Sequence, residues 1–292
     1  MKVLNVLLML FFVNVLAQKT TPEIETVKIN DKIYVLKGIG GNVGIFVGSE
    51  EVFMIDDKFA NVTPQILAAV KKITTKPVSY LINTHWHGDH TGGNENMHKQ
   101  GAVIISHENV RLRMNSENTV RGKVKPPAPK GALPVITFEK DMMFHLDGED
   151  ILAYHVHNAH TDGDAHIFFT NSNVIHMGDT YFQGKFPYID LDSGGSIDGY
   201  IESANKVIRL ADDDTVIIPG HMNVSNKKEL IEFRDILVDL RDKISHEIEV
   251  GKGLEDVKND TSLTKDYEKQ YNWNFINAEK IRITIYNSLL NN

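Results

Sequence analysis

The chain has 292 residues, a formal net charge of −8 and no cysteine. An acidic chain without a basic run argues against nucleic-acid binding, which rests on Lys and Arg neutralising phosphates. The missing cysteines exclude a disulfide framework, a thiol nucleophile and a lipid anchor on an N-terminal cysteine, so stability must come from core burial, for which this length is ample.

The first element reads as an export signal. Met1-Lys2 is a short basic start, Val3 to Leu16 is apolar apart from Asn5 and Asn14, and Val15-Leu16-Ala17 resembles a small-residue cleavage site. Residues 1–17 are therefore expected to be a signal peptide, cleaved near Ala17 to leave a periplasmic or secreted protein. No later segment approaches the ~20 apolar residues of a membrane span. Residues 18–292 show no internal repeat or low-complexity linker and are expected to form one domain.

Val27 to Leu36 reads as a strand, and Val43–Val47 and Val52–Ile55 as a hairpin about Gly48-Ser49-Glu50. Val62 to Lys72 carries helical spacing, Val78 to Ile82 is a short strand, and Gly92 to Lys99 opens a helix. Val103 to Ile105 follows as a strand and His107 to Ser116 as a helix. Glu117 to Gly131, rich in charge and in proline, reads as a loop, either a solvated connector or a lid facing a substrate. Strands follow near Val135–Phe138, Met142–Leu146, Ile151–His157, Ala165–Phe169 and Val174–His176. Ile197 to Leu210 is a helix, Thr215 to Ile218 a strand, Asn226 to Val250 a long helix and Ala278 to Leu290 a last helix. Strand groups alternating with helices predict a layered α/β domain in which helices cover two sheets.

Chemistry concentrates directly after the strand Val78 to Ile82, in His85-Trp86-His87-Gly88-Asp89-His90. Imidazole nitrogens and carboxylate oxygens are ligands that borderline divalent metals such as zinc accept. Residues two apart share a face on an extended strand end but not on a helix, so His85 and His87 can aim together. The glycine at 88 is expected to let the chain turn so that Asp89 and His90 serve a second metal. Three more candidates sit near predicted strand ends: His160, Asp179 and His221. With the first motif they make a possible set of seven ligands, five histidines and two aspartates.

These motifs, over essentially the whole mature length, make the chain similar to the metallo-β-lactamase superfamily of metallo-hydrolases. The resemblance implies a four-layer αββα sandwich of two mixed sheets flanked by helices. It implies two Zn2+ per chain, other divalent metals being possible: the first held by His85, His87 and His160, the second by Asp89, His90 and His221, with Asp179 bridging. Asp89 would also orient the hydroxide shared by the metals, which attacks a cyclic amide, ester or thioester carbonyl of a small-molecule substrate. Asp56 resembles an early strand-end aspartate that orients a ligand histidine, although a turn role is the alternative. Lys185 could hold a substrate carboxylate as a point charge or could be an exposed loop lysine.

One departure bears on chemistry. A β-lactamase subclass has a ligand cysteine where this chain has Asp179, and a bridging aspartate resembles lactonases and thioesterases instead. Phosphoester hydrolysis, a di-iron redox role and non-catalytic metal binding are further alternatives. The redox relatives carry a glutamate at the position of His87 and a following flavodoxin-like domain, for which no room remains here. The histidines at 145, 155, 157, 166 and 176 are read chiefly as packing or surface residues, with His157 also close enough to support a ligand.

Overall fold

The computed structural model describes residues 23–120 and 122–291. The expected signal peptide lies outside the described residues. Among those described, no helix is long and apolar enough to cross a membrane.

The first sheet opens as an antiparallel meander of β1 (Glu25–Lys28), β2 (Ile33–Lys37), β3 (Val43–Val47) and β4 (Val52–Ile55). Helix α1 (Thr63–Ile73) then crosses to β5 (Val78–Asn83), which lies parallel to β4. Two short helices, α2 (Gly88–Thr91) and α3 (Asn94–Lys99), lead to β6 (Val103–His107), parallel to β5. After α4 (Glu108–Met114) comes a separate two-stranded hairpin, β7 (Asn118–Val120) and β8 (Lys123–Lys125). Strand β9 (Ile136–Phe138) completes the first sheet, parallel to β6.

The second sheet repeats the plan. Strands β10 (Asp141–Leu146), β11 (Glu149–His155), β12 (Ala165–Phe169) and β13 (Val174–Phe182) are antiparallel neighbours. Helix α5 (Ile197–Leu210) carries the chain to β14 (Val216–His221), parallel to β13, and β15 (Ser225–Asn226) closes the edge. The C-terminal part is helical: α6 (Lys227–Glu249), α7 (Leu254–Asn259), α8 (Glu268–Tyr271) and α9 (Ala278–Leu290).

Strand alternation explains the layers. Along β4, Phe53 and Ile55 face the second sheet, where they pack with Ile151, Ile167 and Phe169, while Val52 and Met54 face Ile66 and Val70 of α1. On the second sheet, Ile175, Met177 and Ile217 face outward onto Tyr200, Ala204, Phe233 and Leu237 of α5 and α6. The central strands of both sheets are buried on both faces, giving the expected αββα sandwich of two mixed sheets. In each sheet the parallel strands end on one side, and their loops carry the polar residues discussed below.

Three local readings need correction. The expected strand Val27–Leu36 is two strands, because the Asn30 side chain accepts from the amides of Lys32 at 2.9 Å and Ile33 at 2.8 Å and folds a turn between them. Strand β13 runs on through Asp179 to Phe182, so Asp179 lies within a strand rather than past its end. The glycine at 88 has no positive φ; the chain turns because His87, in extended conformation, begins the single helical turn α2 that carries Asp89 and His90.

Phe169 is fully buried between the sheets and stacks on Phe46 with ring centroids 5.7 Å apart. Phe169→Ala is predicted to lower unfolding free energy by about 3–5 kcal/mol in urea denaturation. Lys71→Ala, at an exposed position of α1, should stay within about 0.5 kcal/mol of the parent.

Candidate metal centre

The site begins with a sharp corner after β4. Asp56, Asp57 and Lys58 are all fully buried, and Asp56 and Lys58 both have φ of 60°. Such backbone is uncommon outside glycine and persists only where surrounding bonds fix it. Here they do. Asp56 Oδ1 accepts from the Thr84 amide, and Oδ2 accepts from the Thr84 hydroxyl, both at 2.8 Å; Oδ2 also takes His90 Nδ1–H at 2.7 Å. The Asp57 amide donates to the His90 carbonyl at 3.0 Å and its Oδ1 accepts from the Gly93 amide at 2.9 Å, so the corner cradles α2.

These bonds decide which ring nitrogens carry lone pairs. The Thr84 hydroxyl proton goes to Asp56, so Thr84 Oγ1 accepts from His85 Nδ1 at 3.1 Å and His85 Nε2 keeps its lone pair. His160 Nδ1–H donates to the Tyr188 carbonyl at 2.7 Å, and His87 Nε2–H donates to Asp190 Oδ2 at 2.8 Å. The remaining nitrogens, His160 Nε2 and His87 Nδ1, face each other at 2.9 Å as two acceptors. His85, His87 and His160 thus present three lone pairs to one point.

A second group adjoins it. His90 Nε2, His221 Nε2 and an Asp89 oxygen gather together, with His221 Nε2 3.3 Å from Asp89 Oδ2 and 3.4 Å from His90 Nε2. Asp179 lies between the groups: Oδ2 is 3.9 Å from His85 Nε2, 3.7 Å from His160 Nε2 and 3.4 Å from His221 Nε2, while Oδ1 is 3.1 Å from His90 Nε2. All seven expected ligands meet here.

Electrostatics matches this division. Burial, reinforced by neighbouring rings, holds His85 well below the ordinary histidine range and lowers His160 to about 4, so these two rings stay neutral and able to donate lone pairs. In the second group burial opposes a positive charge, but the carboxylates outweigh it. Asp179, Asp56 and Asp89 hold His90 well above the ordinary range, and Asp179 and Asp89 push His221 up to about 9. Burial likewise opposes charge on Asp179 and Asp89, yet both are held low by His90 and His221. The centre therefore demands positive charge at its middle. His85 Nε2 is buried without a hydrogen-bond partner, which costs free energy unless a cation takes its lone pair, and Asp179 Oδ1 meets only the 3.1 Å ion pair with His90 Nε2. The donor set fits divalent metal.

Two glycines make the approach possible. A Cβ at Gly41 would lie 2.1 Å from the His90 ring, and one at Gly220 would lie 2.0 Å from Asp179 Oδ1.

Sequence reading did not anticipate several participants. Thr84 and Asp190 hold His85 and His87, and Tyr200 bridges the carbonyls of Asp179 and Tyr188. Thr84 adjoins the first motif and could have been suspected; Asp190 sits in a loop with no pattern of its own. Lys185 is engaged within the protein. Its ammonium donates to the carbonyls of Gln270 at 2.9 Å and Asn272 at 3.3 Å, fastening the C-terminal segment to the loop after β13. The other histidines have local partners: His107 and His155 stack at 3.8 Å, His155 packs on the exposed His157, and His176 Nε2 donates to the Asn42 carbonyl. None of them joins the centre.

The centre opens into a cleft of about 620 Å³. Asp89, Asp179, His87 and His221 form its polar end; Ile39, Phe59, Phe182, Tyr188, Trp273 and Phe275 form its walls, and Lys123 and Lys125 of β8 complete the lining.

Comparison with known proteins agrees with this geometry. The sequence model described as the metallo-beta-lactamase superfamily matches residues 36–221, which include all seven ligand candidates. A probable metallo-hydrolase of Methanocaldococcus jannaschii is 25% identical over 199 residues, covering 65% of this chain and 91% of that protein. A type 2 metallo-beta-lactamase of Bacteroides fragilis is 21% identical over 244 residues, covering 79% of this chain and 92% of that protein. Among solved structures, a metallo-beta-lactamase from Pontibacter korlensis shares the fold, with a TM-score of 0.62 and 19% identity over 74% of this chain and 100% of its own.

Asp56 and Asp190 fix ring orientation from outside the ligand set, so their loss should weaken metal binding without removing a ligand. Asp56→Ala and Asp190→Ala are each predicted to lower divalent-metal affinity by about 10–100-fold, measured by competition with a chromogenic chelator.

Proposed function

Because the chain belongs to the metallo-beta-lactamase superfamily, we propose that it is a hydrolase with two zinc ions per chain, acting on the carbonyl of a small-molecule cyclic amide, ester or thioester. The observation that carries this reading is the convergence of histidine and aspartate side chains on two adjoining points, with Asp179 between them and a cleft opening onto both. A cleft of this size suits a small molecule, and the net charge of −8 argues against a nucleic-acid substrate.

His85, His87 and His160 would hold the first ion, Asp89, His90 and His221 the second, and Asp179 would touch both. When bound, paired zinc ions lower the pKa of water to about 7 and polarise the oxygen being attacked. The chain's own groups do the rest. Asp89 is ionised and its side chain retains 27% exposure toward the cleft, so it can accept a hydrogen bond from the attacking water and orient it. Asp56, Asp190 and the Tyr188 carbonyl keep three ligand rings aimed. The aromatic walls bind the body of the substrate and exclude water from it.

Two readings of the substrate follow. β-Lactam hydrolysis is supported by the curated relative of Bacteroides fragilis, a metallo-beta-lactamase. Lactone or thioester hydrolysis is favoured by Asp179, a carboxylate within 3.9 Å of nitrogens from both groups and with no cysteine available in its place. We further propose that the protein works outside the cytoplasm, on the composition of residues 1–17.

The test pairs zinc content with turnover of a chromogenic cephalosporin, a lactone and a thioester. The reading expects two zinc ions per chain and chelator-sensitive turnover of at least one substrate. Asp89→Asn should reduce kcat by about 10²–10⁴-fold, the range expected for losing a positioned proton acceptor. Iron in place of zinc, or turnover indifferent to chelator, would contradict it.

A further inference from the structure

Glu117 to Gly131 reads from sequence as either a connector or a lid, and the structure gives it an ordered part that faces the cleft. Strands β7 and β8 pair as a two-stranded hairpin that belongs to neither large sheet, in the register Asn118↔Lys125, Thr119↔Val124 and Val120↔Lys123. Residues two apart on a strand share a face, and here Lys123 and Lys125 both line the cleft. Both are exposed, and among the described residues neither ammonium has a hydrogen-bond or ion-pair partner. A carboxylate directly across the strands would stabilise a hairpin lysine, but these lie opposite Val120 and Asn118. Their charge is offered to the cleft instead.

Much of the remaining wall is aromatic. Phe182 and Trp273 lie with ring centroids 5.7 Å apart, and Trp273 and Phe275 at 5.4 Å. One cleft thus combines a metal-binding end, an apolar wall and two cations on a single strand. The lysine Cα atoms are about 7 Å apart on an extended strand, so their long side chains can converge on one compact anion.

We propose that Lys123 and Lys125 form an anion-recognition subsite, so that the substrate carries a carboxylate, sulfate or phosphate on an apolar body. The assignment rests on the cleft being the substrate site of the hydrolase proposed above. The lysines are specificity residues: they select and orient the charged end while the aromatic wall holds the rest.

Calorimetric binding to the zinc-loaded full chain tests this with four probes that carry no scissile ester: 4-phenylbutyrate, 4-phenylbutanesulfonate, 4-phenylbutylphosphonate and the neutral 4-phenylbutanamide. At least one anion should bind about tenfold more tightly than the amide, roughly what two partly solvated charges supply. The rank of the three anions identifies the charged group. In Lys123→Ala/Lys125→Ala the preference should fall to about twofold or less, whereas Lys123→Arg/Lys125→Arg should keep it. Raising salt from about 50 to about 500 mM should shrink it in the parent. Circular dichroism and zinc content verify that the alanine variant remains folded and loaded. Equal binding of anions and amide by the parent overturns the proposal. So does a preference that survives in the alanine variant, since the metal centre alone would then account for it. Turnover assayed in parallel separates the two claims: charge discrimination without hydrolysis sinks the hydrolase reading and leaves the subsite, and hydrolysis without discrimination does the reverse.

Discussion

The buried carboxylate of Asp56 is the constraint on which this structure depends. It accepts the amide and hydroxyl of Thr84 and the Nδ1 proton of His90, and so ties the end of β4 to the end of β5 and to the helical turn beyond it. Through Thr84 it also sets the proton on His85. One side chain therefore fixes the rings of one ligand from each group. The left-handed backbone at Asp56 and Lys58 is tolerated because these bonds hold it, and the oversized neighbours fit only because Gly41 leaves room for the His90 ring.

The sandwich exists to present this corner. Parallel strands β4 and β5 in one sheet, and β13 and β14 in the other, bring polar loops to one side of the molecule. The apolar layer between the sheets makes that presentation rigid. Ligands drawn from separate strands need such a frame, since a displacement of one ring by a fraction of an ångström would spoil a shared coordination point. The concentration of histidine and aspartate is locally unfavourable without a compensating positive charge. Fold stability and site chemistry consequently pull in different directions, and a cation reconciles them.

Much of this was legible in the chain. The unbroken apolar run Val52–Ile55 follows from a strand buried on both faces, and the helical spacing in Ile197–Leu210 from a helix buried on one. The run from His85 to His90 was informative because its density has no packing explanation. Other features depend on tertiary contacts and leave no local trace. Asp190 is one carboxylate among many until the fold brings it 2.8 Å from His87. Trp273 and Phe275 lie in a stretch without periodicity, yet the Lys185 contacts with Gln270 and Asn272 carry them to the cleft. The turn at Asn30 shows in the chain only as three consecutive polar residues, Asn30 to Lys32, between apolar positions that keep the same parity. The turn after His87 was assigned to glycine flexibility when a helical turn performs it.

The most direct test of the account is anomalous X-ray scattering at the zinc edge from crystals grown with zinc. The account predicts two peaks about 3.5–4 Å apart, one against His85, His87 and His160, the other against Asp89, His90 and His221, with Asp179 reaching both. A single peak at one group, or none within the cluster, would contradict it.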